Sequence, residues 1–126
     1  MIEAQILVKS YGDRRAVDGV SFAVRGGEVY GLLGPNGAGK TTIFSMLAGI
    51  LRPDRGRIVI GGVDQARFPI DAKACLGVVP QESALYSNLT AREHLRFWGG
   101  LYGLSGRKLK QAVDSILETV NLQGQA

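Results

Sequence analysis

Nine consecutive residues, Gly34-Pro35-Asn36-Gly37-Ala38-Gly39-Lys40-Thr41-Thr42, have the types and spacing needed to hold a polyphosphate. Gly34, Gly37 and Gly39 allow positive φ and a close backbone approach to a ligand. Successive N–H groups then face inward as a nest for phosphate oxygens. A helix starting near Gly39 would aim its free N–H groups and the positive end of its dipole at the same anion. Lys40 adds a charge able to reach β- and γ-phosphates, and the Thr41 hydroxyl suits a magnesium ion.

Such a loop needs a strand before it and a helix after it. Glu28-Val29-Tyr30-Gly31-Leu32-Leu33 reads as a short buried strand. Ile43, Phe44, Leu47, Ala48, Ile50 and Leu51 recur at helical spacing behind the loop. Strand, glycine-rich loop and helix in that order define the phosphate-binding loop of P-loop NTPases.

The remaining elements follow from pattern. Residues 2–9 and 17–24 alternate apolar and polar side chains around a polar turn at 12–15, the signature of an antiparallel hairpin. Arg57-Ile58-Val59-Ile60 is a further strand, and a short helix near 69–74 begins at Pro69. Leu76-Gly77-Val78-Val79 reads as another buried strand, leading into Pro80-Gln81-Glu82. Residues 91–102 are expected to be helical with Leu95, Trp98 and Leu101 on one side. Leu109, Ala112, Val113, Ile116, Leu117 and Val120 mark the last helix, with Gly106 as the break before it.

Composition bounds the classes. With 126 residues, 45% hydrophobic and 21% charged, the chain suits one small globular domain or part of a larger one. The net charge of +4 comes from fifteen scattered basic residues, which argues against nucleic acid and for a solvated surface with some attraction for phosphate. Cys75, the only cysteine, excludes an intrachain disulfide and a cysteine-based metal site, and its apolar neighbours predict a buried thiol. No signal-peptide layout and no membrane-length apolar run is present, so the expectation is a soluble, cytoplasmic protein. His94 has no second His or Cys near it and reads as a surface histidine.

Taken together, these residues resemble the nucleotide-binding domain of ATP-binding cassette (ABC) transporters over nearly the whole chain. Tyr11, in Lys9-Ser10-Tyr11-Gly12, lies where the family places an aromatic that stacks on adenine. The loop wording is the family's commonest. Gln81 matches the family's Q-loop glutamine, and Ser87 to Leu95 looks like the start of its helical subdomain. The wording after Gln81 is most similar to the ATPase subunits of drug, antibiotic or lipid exporters.

The resemblance implies an α/β fold: a P-loop NTPase core with an N-terminal antiparallel β part over residues 1–82, then the beginning of a helical subdomain over 83–126. It implies ATP and Mg²⁺ as ligands. Tyr11 and Val17 would contact the base, Gly34, Pro35, Asn36, Gly37, Ala38 and Gly39 the phosphates, and Thr42 the α-phosphate. Lys40 and Gln81 would serve catalysis, with Thr41 and Gln81 on the metal. A transmembrane permease and a second nucleotide-binding domain are the implied partners, holding the protein peripherally on the cytoplasmic face of the membrane. Two rival readings are a soluble ABC ATPase acting on ribosomes or DNA, and a module that binds nucleotide without turnover.

Two look-alikes are refused. Leu104-Ser105-Gly106 copies the start of the family's LSGGQ signature but continues Arg107-Lys108 and precedes the long helix. Asp64, after Ile58-Val59-Ile60, lacks the following Glu of a Walker B pair and comes before Gln81, so it reads as a turn residue. Signature, Walker B, D-loop and switch histidine are absent from the 126 residues. The expectation is a fragment that stops before them and does not hydrolyse ATP alone.

Overall fold

The computed structural model describes residues 1–81 and 85–124. Glu82 and the expected boundary at 82/83 lie outside the described residues. The chain divides into two compact units, Met1–Val79 and Pro80–Ala126.

The first unit is organised by β1 (Ile2–Tyr11), whose two edges are both paired. On one side β2 (Arg14–Val24) runs antiparallel, from Ile2↔Val24 to Tyr11↔Arg14. On the other lies β3 (Arg55–Ile60), also antiparallel, and β4 (Val63–Asp64) extends it. The sheet order is β2-β1-β3-β4. The alternation read from sequence is interrupted by a bulge at Ile6, which has φ of 50° and donates its N–H to Ser21 Oγ at 2.7 Å. Gly56 faces this bulge, where a Cβ would stand 2.4 Å from the Ile6 carbonyl oxygen.

Helix α1 (Lys40–Leu47) packs Ile43 and Met46 into a core with Ala4, Leu7, Val17, Ile58 and Ile60. Burial of this stripe, rather than intrinsic propensity, holds so short a helix. Helix α2 (Pro69–Ala74) starts on its proline, as expected, and buries Ala72. Cys75 follows it and is exposed, contrary to the buried thiol expected from its neighbours. The helix ends there, and only Ala72 of its residues faces fully inward.

Two expected strands do not form. Residues 28–33 and 76–79 belong to no ladder, and Val29 and Val79 are 99% and 95% exposed. Leu32 and Leu76 still pack against the core, and Tyr30 stacks on Phe22 at 5.3 Å. A continuous apolar run of this kind suits a strand flanked on both edges. Among the described residues no strand pairs with either segment, so composition alone does not produce one. The α/β class holds as an antiparallel sheet with helices.

The second unit is a pair of helices, α3 (Ala91–Leu101) and α4 (Gly106–Thr119). Thr90 and Glu93 form a reciprocal capping box at the start of α3. The buried residue of α3 is His94, while Trp98 and Leu101 are 43% and 65% exposed; the inward face is offset from the expected stripe. The surface histidine read from sequence is thus a buried one, lying against Tyr86 at 5.6 Å between ring centroids. Helix α4 buries Val113 and Leu117 and begins at Gly106 itself, with Ser105 as its N-cap. At Gly99 the helices approach so closely that a Cβ would meet Leu109 Cδ1 at 2.5 Å, and Arg92 pairs with Asp114 across them. Among the described residues no helix is long and apolar enough to cross a membrane.

Candidate functional site

The glycine-rich segment leads directly into α1, with Gly39 as its N-cap at φ 82°, ψ 4°. Its Cβ position would fall 2.2 Å from the Ala16 carbonyl oxygen and 3.2 Å from Val17 Cγ2. No side chain fits there, so the start of β2 and the end of the loop are locked backbone to backbone. Inside the loop, Ala38 donates its N–H to the Pro35 carbonyl at 3.2 Å, and Ile43 donates to Gly39 at 2.9 Å. None of the described residues accepts a hydrogen bond from the amides of Gly37, Gly39, Lys40 or Thr41. Free amides at a helix N-terminus beside positive-φ glycines are an anion-binding arrangement.

Lys40 folds back over the loop. Its Nζ donates to the carbonyl oxygens of Gly34 and Pro35 at 2.5 and 2.7 Å. A phosphate oxygen would compete with these neutral acceptors for a charged donor, and charge-assisted bonds to anions are the stronger. Asn36 and Thr41 are exposed, and Thr42 is half-buried at the first turn of α1.

Tyr11 ends β1 with its side chain 54% exposed, across the Gly12-Asp13 turn from Arg14. Val17 is buried, so only its edge toward Gly39 is near the loop. Gln81 is exposed and belongs to the second unit, unlike the other expected site residues. Asp64 is not a bare turn residue: it sits in β4, its carboxylate taking Arg57 Nε at 2.6 Å and the N–H groups of Ala66 and Arg67 at 3.0 and 3.2 Å. The Arg57 hydrogen bond is the main reason its carboxyl is held below the usual value. It is committed to structure. Among the described residues no cluster of three His, Cys, Asp or Glu side chains offers a metal site.

One residue at the loop went unassigned in the sequence. Arg14 Nη2 lies 3.5 Å from where a Gly37 Cβ would stand. The only hint was the adjacent pair Arg14-Arg15 in a hairpin turn.

Comparison with known proteins establishes the family. A family profile described as ABC transporter matches residues 17–126. The chain belongs to the ABC transporter family. It is 45% identical over 126 residues to the linearmycin resistance ATP-binding protein LnrL of Bacillus subtilis, covering all of this chain and 40% of that protein. It is 44% identical over 123 residues to a probable multidrug ABC transporter ATP-binding protein, YbhF, of Escherichia coli, covering 98% of this chain and 21% of that one. Among solved structures, the ATP-binding subunit of an ABC transporter superposes with a TM-score of 0.82 at 33% identity, over 97% of this chain and 51% of its own. A dimeric ATP-binding cassette bound to ADP and Pi shares the fold, with a TM-score of 0.78 at 22% identity over 99% of this chain and 59% of its own. The chain therefore spans 40% and 21% of these two relatives and 51% and 59% of these two structures.

Proposed function

We propose that this chain is the nucleotide-holding part of an exporter-type ABC ATPase subunit, binding Mg·ATP at residues 34–42. The observation that carries the reading is the set of amides at Gly37, Gly39, Lys40 and Thr41 that find no acceptor among the described residues, beside a lysine whose acceptors there are backbone carbonyls. The loop backbone from Gly34 to Gly39 takes the phosphates, Lys40 the β- and γ-oxygens, and Thr42 the α-phosphate. The exposed ring of Tyr11 stacks on the base, while Val17, expected to touch the base, is buried in the core against Gly39 and backs the loop instead. By the family resemblance, Thr41 and Gln81 would each serve as ligands of Mg²⁺, which would offset the charge of the β- and γ-phosphates. The names of the relatives, a resistance ATP-binding protein and a multidrug transporter ATP-binding protein, support export as the task. ATP hydrolysis would then drive a membrane permease, with a second nucleotide-binding domain completing each site at the cytoplasmic face.

The test is competition for a fluorescent ATP analogue. ATP and ADP are expected to displace it and AMP to fail, because the contacts are made mainly to the β- and γ-phosphates. Equal displacement by AMP or by adenosine would remove the phosphate-loop reading.

A further inference from the structure

The hairpin that ends in Tyr11 brings a second cation to the loop. Arg14 opens β2 opposite Tyr11, and its Nη2 lies 3.5 Å from the Cβ position of Gly37, one of the loop residues whose amide has no acceptor among the described residues. Gly37 has φ of 84°, and a Cβ there would stand in ordinary van der Waals contact with the guanidinium, so Arg14 lies beside this turn of the loop. A cation placed beside free N–H donors is electrostatically unfavourable unless an anion lies between them.

Arg14 is also uncommitted. Its neighbour Arg15 is paired to Asp18 at 3.0 Å, while Lys9 pairs with Asp54 and Arg57 with Asp64. Among the described residues no carboxylate pairs with Arg14. A guanidinium offers a planar fork of donors that matches two phosphate oxygens at once, which the point charge of Lys40 does not.

We infer that Arg14 is a second phosphate-binding cation of this site, gripping the polyphosphate of a nucleoside di- or triphosphate over Gly37. This rests on the nucleotide reading above and adds a residue to it. Tyr11 and Arg14 then act as one presenting turn, the ring for the base and the guanidinium for the phosphates.

The experiment measures Mg·ATP affinity at several salt concentrations for the whole chain and for Arg14→Gln, Arg14→Lys, Arg15→Gln and Lys40→Ala. Arg14→Gln is expected to weaken binding about tenfold, with a shallower salt dependence than the parent chain. Arg14→Lys should recover part of the loss, and Arg15→Gln should stay within twofold because its guanidinium is held by Asp18. If Lys40→Ala weakens binding and Arg14→Gln does not, the inference falls while the nucleotide site stands. Equal losses in Arg14→Gln and Arg15→Gln would mean general surface charge, and would also overturn it. No effect of Lys40→Ala would remove the nucleotide reading itself. Arg14 is exposed at a turn, and melting curves of each variant separate lost binding from lost fold.

Discussion

A Cβ on Gly39 would stand 2.2 Å from the carbonyl oxygen of Ala16, which makes the contact between loop and hairpin a backbone contact. Gly39 also sits at φ 82°, where other residues are strained. Gly39→Ala is therefore expected to cost about 2–4 kcal/mol of stability and to displace the loop. Gly12→Ala, at φ 57° with nothing within 4 Å, should cost only about 1 kcal/mol. Denaturant unfolding of both variants checks the contrast; equal losses would mean that strain alone matters.

Tyr11 is half exposed at the end of β1 and stacks on no aromatic ring among the described residues. If it is the base platform, Tyr11→Ala should lose about 1–3 kcal/mol of ATP affinity, and Tyr11→Phe very little. GTP should bind nearly as well as ATP, since stacking needs only a π-face. Titration with both nucleotides decides it, and identical behaviour of the Ala and Phe variants would exclude the role.

Acid should loosen the first unit. Asp54 takes Lys9 Nζ at 2.7 Å and the Ser10 N–H at 2.8 Å, which hold its carboxyl below the usual value, the Lys9 bond first. Asp64 is lowered in the same direction by Arg57. A carboxyl depressed in the fold adds stability that is present above its unfolded value, about 4, and is lost as pH falls through the folded one. The melting temperature should thus be flat near neutrality on their account and fall below about pH 4. Asp54→Asn should melt lower at neutral pH and show a weaker acid dependence. An acid profile unchanged by that substitution would contradict the pairing.

His94 is buried with no hydrogen-bond partner at Nε2 among the described residues. An apolar ring of similar shape removes that cost, so His94→Phe is expected to stabilise the second unit by about 1 kcal/mol. Thermal unfolding measures this, and a clear destabilisation would show a polar contact at that ring.

What the sequence made legible follows from how local each signal is. The hairpin, α2 and α4 each carry their own pattern, turn residue or break and formed near their expected limits, whereas α1 starts as expected at Lys40 but ends at Leu47, leaving Ile50 and Leu51 of the expected stripe outside it. The glycine-rich loop could be placed because glycine spacing encodes backbone conformation directly. Residues 28–33 and 76–79 failed as strands because a doubly flanked strand is defined by neighbours, not by its own composition. His94 turns inward although the apolar stripe of α3 runs through Leu95, because the face that packs is set by tertiary contacts that the spacing of apolar residues does not record. Arg14 was invisible for a related reason. Its approach to Gly37 depends on the hairpin folding back onto a loop far along the chain, and no local pattern records that.

The most direct test of the account is calorimetry of Mg·ATP binding to the chain and to Lys40→Ala. Among the described residues Lys40 donates only to two backbone carbonyls, so removing it should leave the fold nearly intact. The lost charge-assisted phosphate contact is worth about 1.5–3 kcal/mol, which predicts at least a tenfold weaker affinity. Unchanged affinity in a variant that melts like the parent would contradict the phosphate-binding role of residues 34–42.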